Sequence, residues 1–118
     1  MSLSKKIPEI IAMQLRAFVE SWLDKHGLKL TDVRSWAVHP GGPKILDAVV
    51  SALQLPAEGV WASREILAEF GNMSSATVLF ILKRLRERQA QGPCVAIGFG
   101  PGLNIEIALF AWATSDRS

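Results

Sequence analysis

The stretch Trp36-Ala-Val-His-Pro-Gly-Gly-Pro43 decides which fold the sequence predicts. An apolar run ends at His39, a Pro-Gly-Gly-Pro turn follows directly, and apolar residues at helical spacing follow Lys44. The run predicts a short buried strand, and Pro43 suits the first position of a helix, where no backbone N–H is needed. His39 is therefore expected at the carboxyl end of a strand, where open α/β sheets bind ligands. A single histidine can also be structural, so this stretch alone leaves its role open.

Composition favours one globular domain. Hydrophobic residues make up 49% of the 118 residues, which is enough for a real core. A net charge of +2 is too small to predict a nucleic-acid interface, and one cysteine excludes an internal disulfide. No apolar run approaches the ~20 residues that cross a bilayer. We therefore expect a cytoplasmic protein with neither nucleic acid nor a membrane as its partner.

Apolar periodicity and turn residues predict an α/β fold with four helices and three strands. Helix, strand and second helix around Trp36 form a parallel-sheet pattern, whereas the last two strands predict an antiparallel hairpin at a sheet edge. The predicted helices cover residues 4–26, 43–53, 62–70 and from 74 or 75 to about 88. The predicted strands cover residues 35–38, 94–99 and 103–112.

The fourth helix is apolar on every side in its first half, from Ala76 to Leu82. Such a helix usually lies between two layers of a protein. Its tail from Lys83 to Arg88 is basic, which favours a solvated helix end over a phosphate or RNA site. Asn72 precedes the helix, and its amide can either cap the helix or face a ligand.

Two other features invite chemical interpretations that the surrounding residues do not favour. Cys94 opens an apolar strand with no base beside it, so we interpret it as structural rather than reactive. Gly98-Phe-Gly-Pro-Gly102 resembles a nucleotide-binding loop only superficially, because such a loop must lead from a strand into a helix. Here a strand follows the glycines.

Three stretches stand in a distinctive order: Trp-Ala-Val-His-Pro-Gly-Gly-Pro at 36–43, Gly-Asn-Met-Ser-Ser at 71–75 and Gly-Phe-Gly-Pro-Gly at 98–102. Together they resemble the C-terminal part of type III polyketide synthases, the chalcone and stilbene synthase family, which has the thiolase fold. The resemblance covers nearly the whole chain. Ketoacyl synthase III enzymes share the fold, but the Gly-Phe-Gly-Pro-Gly loop is characteristic of the polyketide synthases.

The resemblance gives His39 and Asn72 the roles of the family's catalytic histidine and asparagine, close together at one edge of the domain. In the family these side chains donate hydrogen bonds to the thioester carbonyl of malonyl-CoA and stabilise the enolate formed on decarboxylation. Fixed donors of this kind stabilise negative charge as it develops. The resemblance also implies a segment lining the coenzyme A tunnel and a loop shaping the cyclisation cavity. These are Gly41, Gly42, Pro43 and Lys44 for the tunnel, and Gly98, Phe99, Gly100, Pro101 and Gly102 for the loop.

The family's nucleophilic cysteine has no counterpart in this chain, and Cys94 does not match it. The resemblance therefore implies that residues 1–118 form a single C-terminal domain that is inactive alone, with an incomplete sheet. Its implied partners are the N-terminal half of the same enzyme, acyl-CoA and malonyl-CoA, with no resident cofactor and no metal. We also expect a homo-oligomer that buries the fourth helix or pairs an open sheet edge. The alternatives are a stand-alone, non-catalytic module that binds an acyl-CoA or a protein, and part of a ketoacyl synthase III-like enzyme.

Overall fold

A three-stranded sheet lies between two pairs of helices. The computed structural model describes residues 3–39, 43–71, 76–100 and 104–110. Within these ranges the helices are α1 (Leu3–Asp24), α2 (Pro43–Leu53), α3 (Trp61–Phe70) and α4 (Ala76–Glu87). The strands are β1 (Ser35–Val38), β2 (Cys94–Gly100) and β3 (Asn104–Phe110), and two short 3-10 helices cover Leu30–Asp32 and Ala57–Val60.

The sheet has the order β1-β2-β3, with β1 parallel to β2 and β2 antiparallel to β3. Its register places Ala37 beside Ala96, and Ala96 beside Ala108. Three mixed strands with four α-helices are what the sequence predicts, and within the described residues that prediction is confirmed. The bounds of β1 and α2 are also those predicted.

The two faces of the sheet carry side chains of different size. Strand residues alternate between faces. One face presents Trp36, Val38, Val95 and Ile97, which pack with α1 and α2 in one core cluster. The opposite face presents small residues, and these pack with Ile66 of α3 and with Ile81 and Leu85 of α4 in a second cluster. The small residues are Ala37, Cys94 and Ala96. Because their side chains are short, α3 and α4 can approach the sheet closely.

Helix α1 ends two residues earlier than predicted. Gly27 follows it with a φ of 73°, and the Leu28 N–H donates to the Leu23 carbonyl oxygen over 3.0 Å. Glycine adopts this left-handed conformation at little cost, so Gly27 caps the carboxyl end of the helix. His26 lies in the turn rather than the helix, and its Nδ1 lies 2.9 Å from the Trp22 carbonyl oxygen.

Strand β3 has one covered side and one exposed side. Ile105, Ile107 and Leu109 pack against the α1/α2 core. Glu106, Ala108 and Phe110 are exposed. The predicted ends of this strand at Leu103 and at residues 111–112 lie outside the described residues.

The outer edge of β1 is partly closed by α3. In the parallel ladder, the His39 N–H donates to the Ile97 carbonyl oxygen, so the Val38 N–H points away from β2. That N–H donates to the Ser63 hydroxyl over 3.0 Å, and Ser63 is fully buried. Strand β3 forms the other edge of the sheet, and the described residues place no further strand beside either edge.

Helix α4 is covered on one side only. Thr77, Ile81 and Leu85 are buried, whereas Leu79 is 68% exposed. The sequence predicts a layer on each side of this helix, and the described residues provide one on a single side. It has the sheet and α3 on one side and solvent on the other.

The basic tail of α4 is not simply solvated, which corrects the sequence interpretation. The Arg84 guanidinium, 15% exposed, lies 2.8 Å from a Glu65 carboxylate oxygen and 2.9 Å from a Glu69 carboxylate oxygen. These hydrogen bonds from Arg84 hold the pKa of Glu69 below its usual value. Arg88 also reaches Glu65 over 3.1 Å. The tail therefore joins α4 to α3, because the acidic residues of α3 run alongside it.

Candidate active site

His39 directly follows β1, as predicted, and α2 begins four residues later at Pro43. Its N–H donates to the Ile97 carbonyl oxygen over 2.8 Å, so the ladder between β1 and β2 extends one residue beyond the strand. This bond fixes the backbone of His39 at the carboxyl end of the sheet. The side chain is half-buried.

The register brings Gly98 and Glu106 into one row with His39. Val38 pairs with Ile97, so the next pair along the extended ladder is His39 with Gly98, and Gly98 pairs with Glu106. Adjacent strands lie ~4.8 Å apart, which separates the backbones of His39 and Glu106 by about 10 Å. A Cβ built on Gly98 would meet no atom within 4 Å. Among the described residues, the space directly over Gly98 is therefore open, on the α3/α4 face of the sheet and in the same row as His39.

Glu106 belongs to this row but to none of the sequence motifs. Its acidic side chain interrupts an apolar strand at an exposed position. The signal that could have identified it is the register of the predicted hairpin, because a partner opposite Gly98 must share its face. Sequence alternation without that register does not connect Glu106 to His39.

The other residues implied by the resemblance are distributed as follows. Pro43 and Lys44 begin α2 and are exposed beyond the carboxyl end of β1. Gly41, Gly42 and Asn72 lie outside the described residues, so the proximity of His39 and Asn72 stays a prediction. Gly71, whose φ is 73°, ends α3 directly before Asn72.

The first three residues of the segment implied as the cyclisation loop belong to β2, which extends one residue beyond its predicted end at Phe99. Gly98, Phe99 and Gly100 pair with Glu106, Ile105 and Asn104 of β3. Backbone pairing across the hairpin therefore includes Gly100, one residue beyond the predicted strand. Phe99 packs against the α1/α2 core, on the face opposite Gly98. Pro101 and Gly102 lie outside the described residues.

Cys94 is not placed for nucleophilic chemistry. It is fully buried at the amino end of β2, whereas Gly98 and His39 lie toward the carboxyl end. Burial raises the pKa of its thiol to about 12, so the thiolate is scarce at neutral pH. The structural interpretation of this cysteine is confirmed.

Two negative findings apply to the described part of the chain. Its His, Cys, Asp and Glu side chains form no group of three or more that could hold a metal ion. Its helices include none that is long and apolar enough to cross a membrane.

A groove of about 510 Å³ lies near the amino end of β1, away from His39. It is lined in part by Trp36, Trp61, Arg16 and Arg34. The groove is separate from the row of His39, Gly98 and Glu106.

Comparisons with known proteins identify the family of this chain. Residues 1–111 match the model of the C-terminal domain of chalcone and stilbene synthases. A Bacillus subtilis (strain 168) protein named "Putative chalcone synthase" is 35% identical over 113 residues, which are 92% of this chain and 31% of that protein.

Solved structures extend the match. PKS-I from the brown alga Ectocarpus siliculosus superimposes with a TM-score of 0.84 at 35% identity, over 89% of this chain and 30% of that one. The 1,3,6,8-tetrahydroxynaphthalene synthase of Streptomyces coelicolor A3(2), a bacterial type III polyketide synthase, gives a TM-score of 0.83 at 33% identity, over 93% and 32%. This chain therefore spans about a third of the length of these relatives. The chain belongs to the chalcone and stilbene synthase family and corresponds to its C-terminal domain.

Proposed function

We propose that this chain is the C-terminal part of a type III polyketide synthase, which condenses malonyl-CoA with an acyl-CoA starter after decarboxylation. The observation that carries the proposal is the placement of His39. It lies at the carboxyl end of β1, beside the open space over Gly98, in a chain of this family. A thioester entering that space would lie close to His39, whose backbone is fixed by its hydrogen bond to Ile97.

In the proposed reaction, His39 donates a hydrogen bond to the thioester carbonyl oxygen of malonyl-CoA, together with Asn72. The bond between the α-carbon and the carboxylate breaks, CO₂ leaves, and the electron pair forms an enolate on that oxygen. The enolate carbon then attacks the acyl group carried by a cysteine, and the cysteine thiolate leaves. Each fixed donor contributes a few kcal/mol, on the order of 100-fold in rate.

The cysteine of that step must come from the N-terminal half of the enzyme. Cys94 cannot replace it, because its thiol is fully buried and its pKa is raised to about 12. The proposal therefore makes the isolated chain inactive, with the N-terminal half as its partner in a cytoplasmic enzyme. Lys44, exposed at the start of α2, is available to an anionic group of coenzyme A.

A chimera tests the proposal, in which this chain replaces the corresponding segment of the Streptomyces coelicolor synthase. We expect the folded chimera to release CO₂ from malonyl-CoA, and His39→Ala to reduce that rate by about 100-fold. The matched control is His26→Ala, since His26 is exposed in the turn after α1. A folded, acylated chimera that releases no CO₂ would overturn the proposal. An unchanged rate in His39→Ala would remove His39 from the mechanism.

A second candidate is a stand-alone module that binds an acyl-CoA or a protein without catalysis. This candidate predicts binding by the chain alone, whereas the condensing enzyme needs the second half.

A further inference from the structure

The groove near the amino end of β1 lies at the opposite end of that strand from His39. Ser35 lines the groove, and His39 follows it by four positions (39 − 35), which is about 13 Å of strand. The groove's volume of about 510 Å³ lies in the range of small-molecule pockets, roughly 300–1,000 Å³. It therefore has the size of a binding site and is distinct from the row of His39, Gly98 and Glu106.

The walls of the groove are held by contacts within the protein. The 3-10 helix Leu30–Asp32 lines part of it, and the Lys29 N–H closes this turn by donating to the Asp32 carboxylate over 2.8 Å. The 3-10 helix Ala57–Val60 lines another part, and its Val60 is fully buried. Because these walls are already ordered, a ligand would not have to order them when it binds.

The apolar lining includes two indole rings. Trp36 is only 4% exposed, whereas Trp61 is half-buried and offers more of its ring to a ligand. The Arg88 guanidinium lies 5.4 Å from the centroid of the Trp61 ring and is not part of the lining, so it supports this ring from outside the groove. Leu53 and Leu55 extend the apolar lining. A lining of this kind favours a flat aromatic group.

Two arginines bring positive charge to the groove, and both are held by neighbouring side chains. The Arg16 Nε–H donates to the Glu20 carboxylate over 3.0 Å, and its Nη1 donates to the Gln54 side-chain oxygen. The Arg34 Nη1 donates to the Gln91 side-chain oxygen over 2.9 Å. Among the described residues, neither arginine has a hydrogen-bond partner for its Nη2. Each guanidinium therefore keeps N–H donors for a carboxylate.

The balance of charge limits how many negative groups a ligand can carry. Of the described lining residues, Glu58 is the acidic one, so the lining has a net charge of +1 (2 − 1). One carboxylate fits this balance, whereas a second negative group would be repelled by Glu58. The groove therefore favours a monoanion over a polyanion such as a nucleotide phosphate.

We propose that this groove binds a planar aromatic monocarboxylate, with its ring on the apolar lining beside Trp61 and its carboxylate toward Arg16 and Arg34. The ring contributes burial of apolar surface, and the carboxylate accepts charge-assisted hydrogen bonds. Neither part suffices alone, because isolated exposed ion pairs contribute little in water. The site goes beyond the proposed function and does not depend on it.

Titration calorimetry of the chain with 2-naphthoate tests the chemistry of the ligand. We expect saturable one-to-one binding with a dissociation constant below about 1 mM. Neutral 2-naphthalenemethanol keeps the ring without the charge, and naphthalene-2,6-dicarboxylate adds a second charge. Each should bind about tenfold more weakly or worse, because hydrogen bonds to a charged group are lost or a repulsion is added. Acetate, which lacks the ring, should give no detectable heat.

Substitutions test the role of the arginines. Arg34→Gln and Arg16→Gln should each raise the dissociation constant for 2-naphthoate by about fivefold or more. Arg86→Gln removes the same charge at an exposed position of α4 and should leave the constant unchanged. Glu58→Gln should tighten binding, because it removes the repulsive charge. Circular dichroism should report a folded chain for all four variants.

The indole N–H resonances of a nitrogen-15-labelled chain test the location independently of affinity. Titration with 2-naphthoate should shift the resonances of Trp61 and Trp36, whereas Trp22 does not line the groove and should not respond. Absence of both heat and shifts at millimolar 2-naphthoate would overturn the proposal. So would equal binding of the neutral alcohol, a response centred on Trp22, or unchanged affinity in both arginine variants.

Discussion

At the scale of single residues, the Cys94 thiol lies in a core cluster with Ala37, Ile81 and Leu85. Burial raises its pKa from an ordinary 9.0 to about 12. The unfolded chain therefore loses this proton above pH 9, while the folded chain keeps it until about pH 12. Since the unfolded state binds fewer protons over that window, stability falls as pH rises, with a slope of up to about 1.4 kcal/mol per pH unit.

We predict that Cys94 resists alkylation at pH 8 until the chain unfolds. Iodoacetamide labelling followed by mass spectrometry should show labelling in urea and almost none without it. In urea titrations between pH 9 and pH 11, Cys94→Ala should lower the pH dependence of unfolding relative to the wild type. Fast labelling of the folded chain would contradict the buried placement.

His39 and Glu106 show how far residue-level reasoning reaches from sequence alone. His39 could be placed correctly because an apolar run and a Pro-Gly-Gly-Pro turn flank it directly. Glu106 could not be related to it, because their shared row depends on two registers that join distant residues. Local patterns predict where a side chain lies along an element, and pairing decides what it faces.

At the scale of elements, Ser63 connects α3 to the outer edge of β1. Its hydroxyl accepts a hydrogen bond from the Val38 N–H over 3.0 Å, and the residue is fully buried. We predict that Ser63→Ala lowers the free energy of unfolding by about 1–3 kcal/mol, because it leaves a buried N–H unpaired.

Chemical denaturation should measure this loss, with Ser51→Ala as the matched control on the exposed side of α2. We expect the control to change stability by less than ~0.5 kcal/mol. Equal effects of the two substitutions would mean that the Ser63 bond contributes no more than an exposed serine.

The helices differ in how well sequence predicts their surroundings. The bounds of α2 followed from Pro43 at its first position and from its apolar spacing. The pairing of Arg84 with Glu65 and Glu69 did not follow, since it depends on the packing of α3 against α4. The exposure of Leu79 was also not predictable, because an apolar helix indicates burial without saying which layer provides it.

At the scale of the whole molecule, we predict that the isolated chain binds malonyl-CoA weakly. Of the residues implied for coenzyme A, the described part contains Pro43 and Lys44, exposed at one helix start. A single exposed cation contributes little to the affinity for an anion in water. Titration calorimetry should give a dissociation constant above about 100 μM, with Lys44→Ala weakening it further and Lys25→Ala acting as the control. Micromolar affinity would instead favour the stand-alone binding module.

The parallel pairing of β1 with β2 also has a consequence for the order of folding. Cys94 pairs with Phe110 across a short hairpin, whereas its partner on the other side, Ser35, precedes it by 59 positions (94 − 35). Hairpins form in roughly 1–10 μs, but contacts between distant positions slow folding. At roughly 5–20 residues per second, a ribosome would complete β1 about 3–12 s before β2 emerges. During synthesis, β1, which leads into His39, would therefore remain unpaired for several seconds before β2 is available.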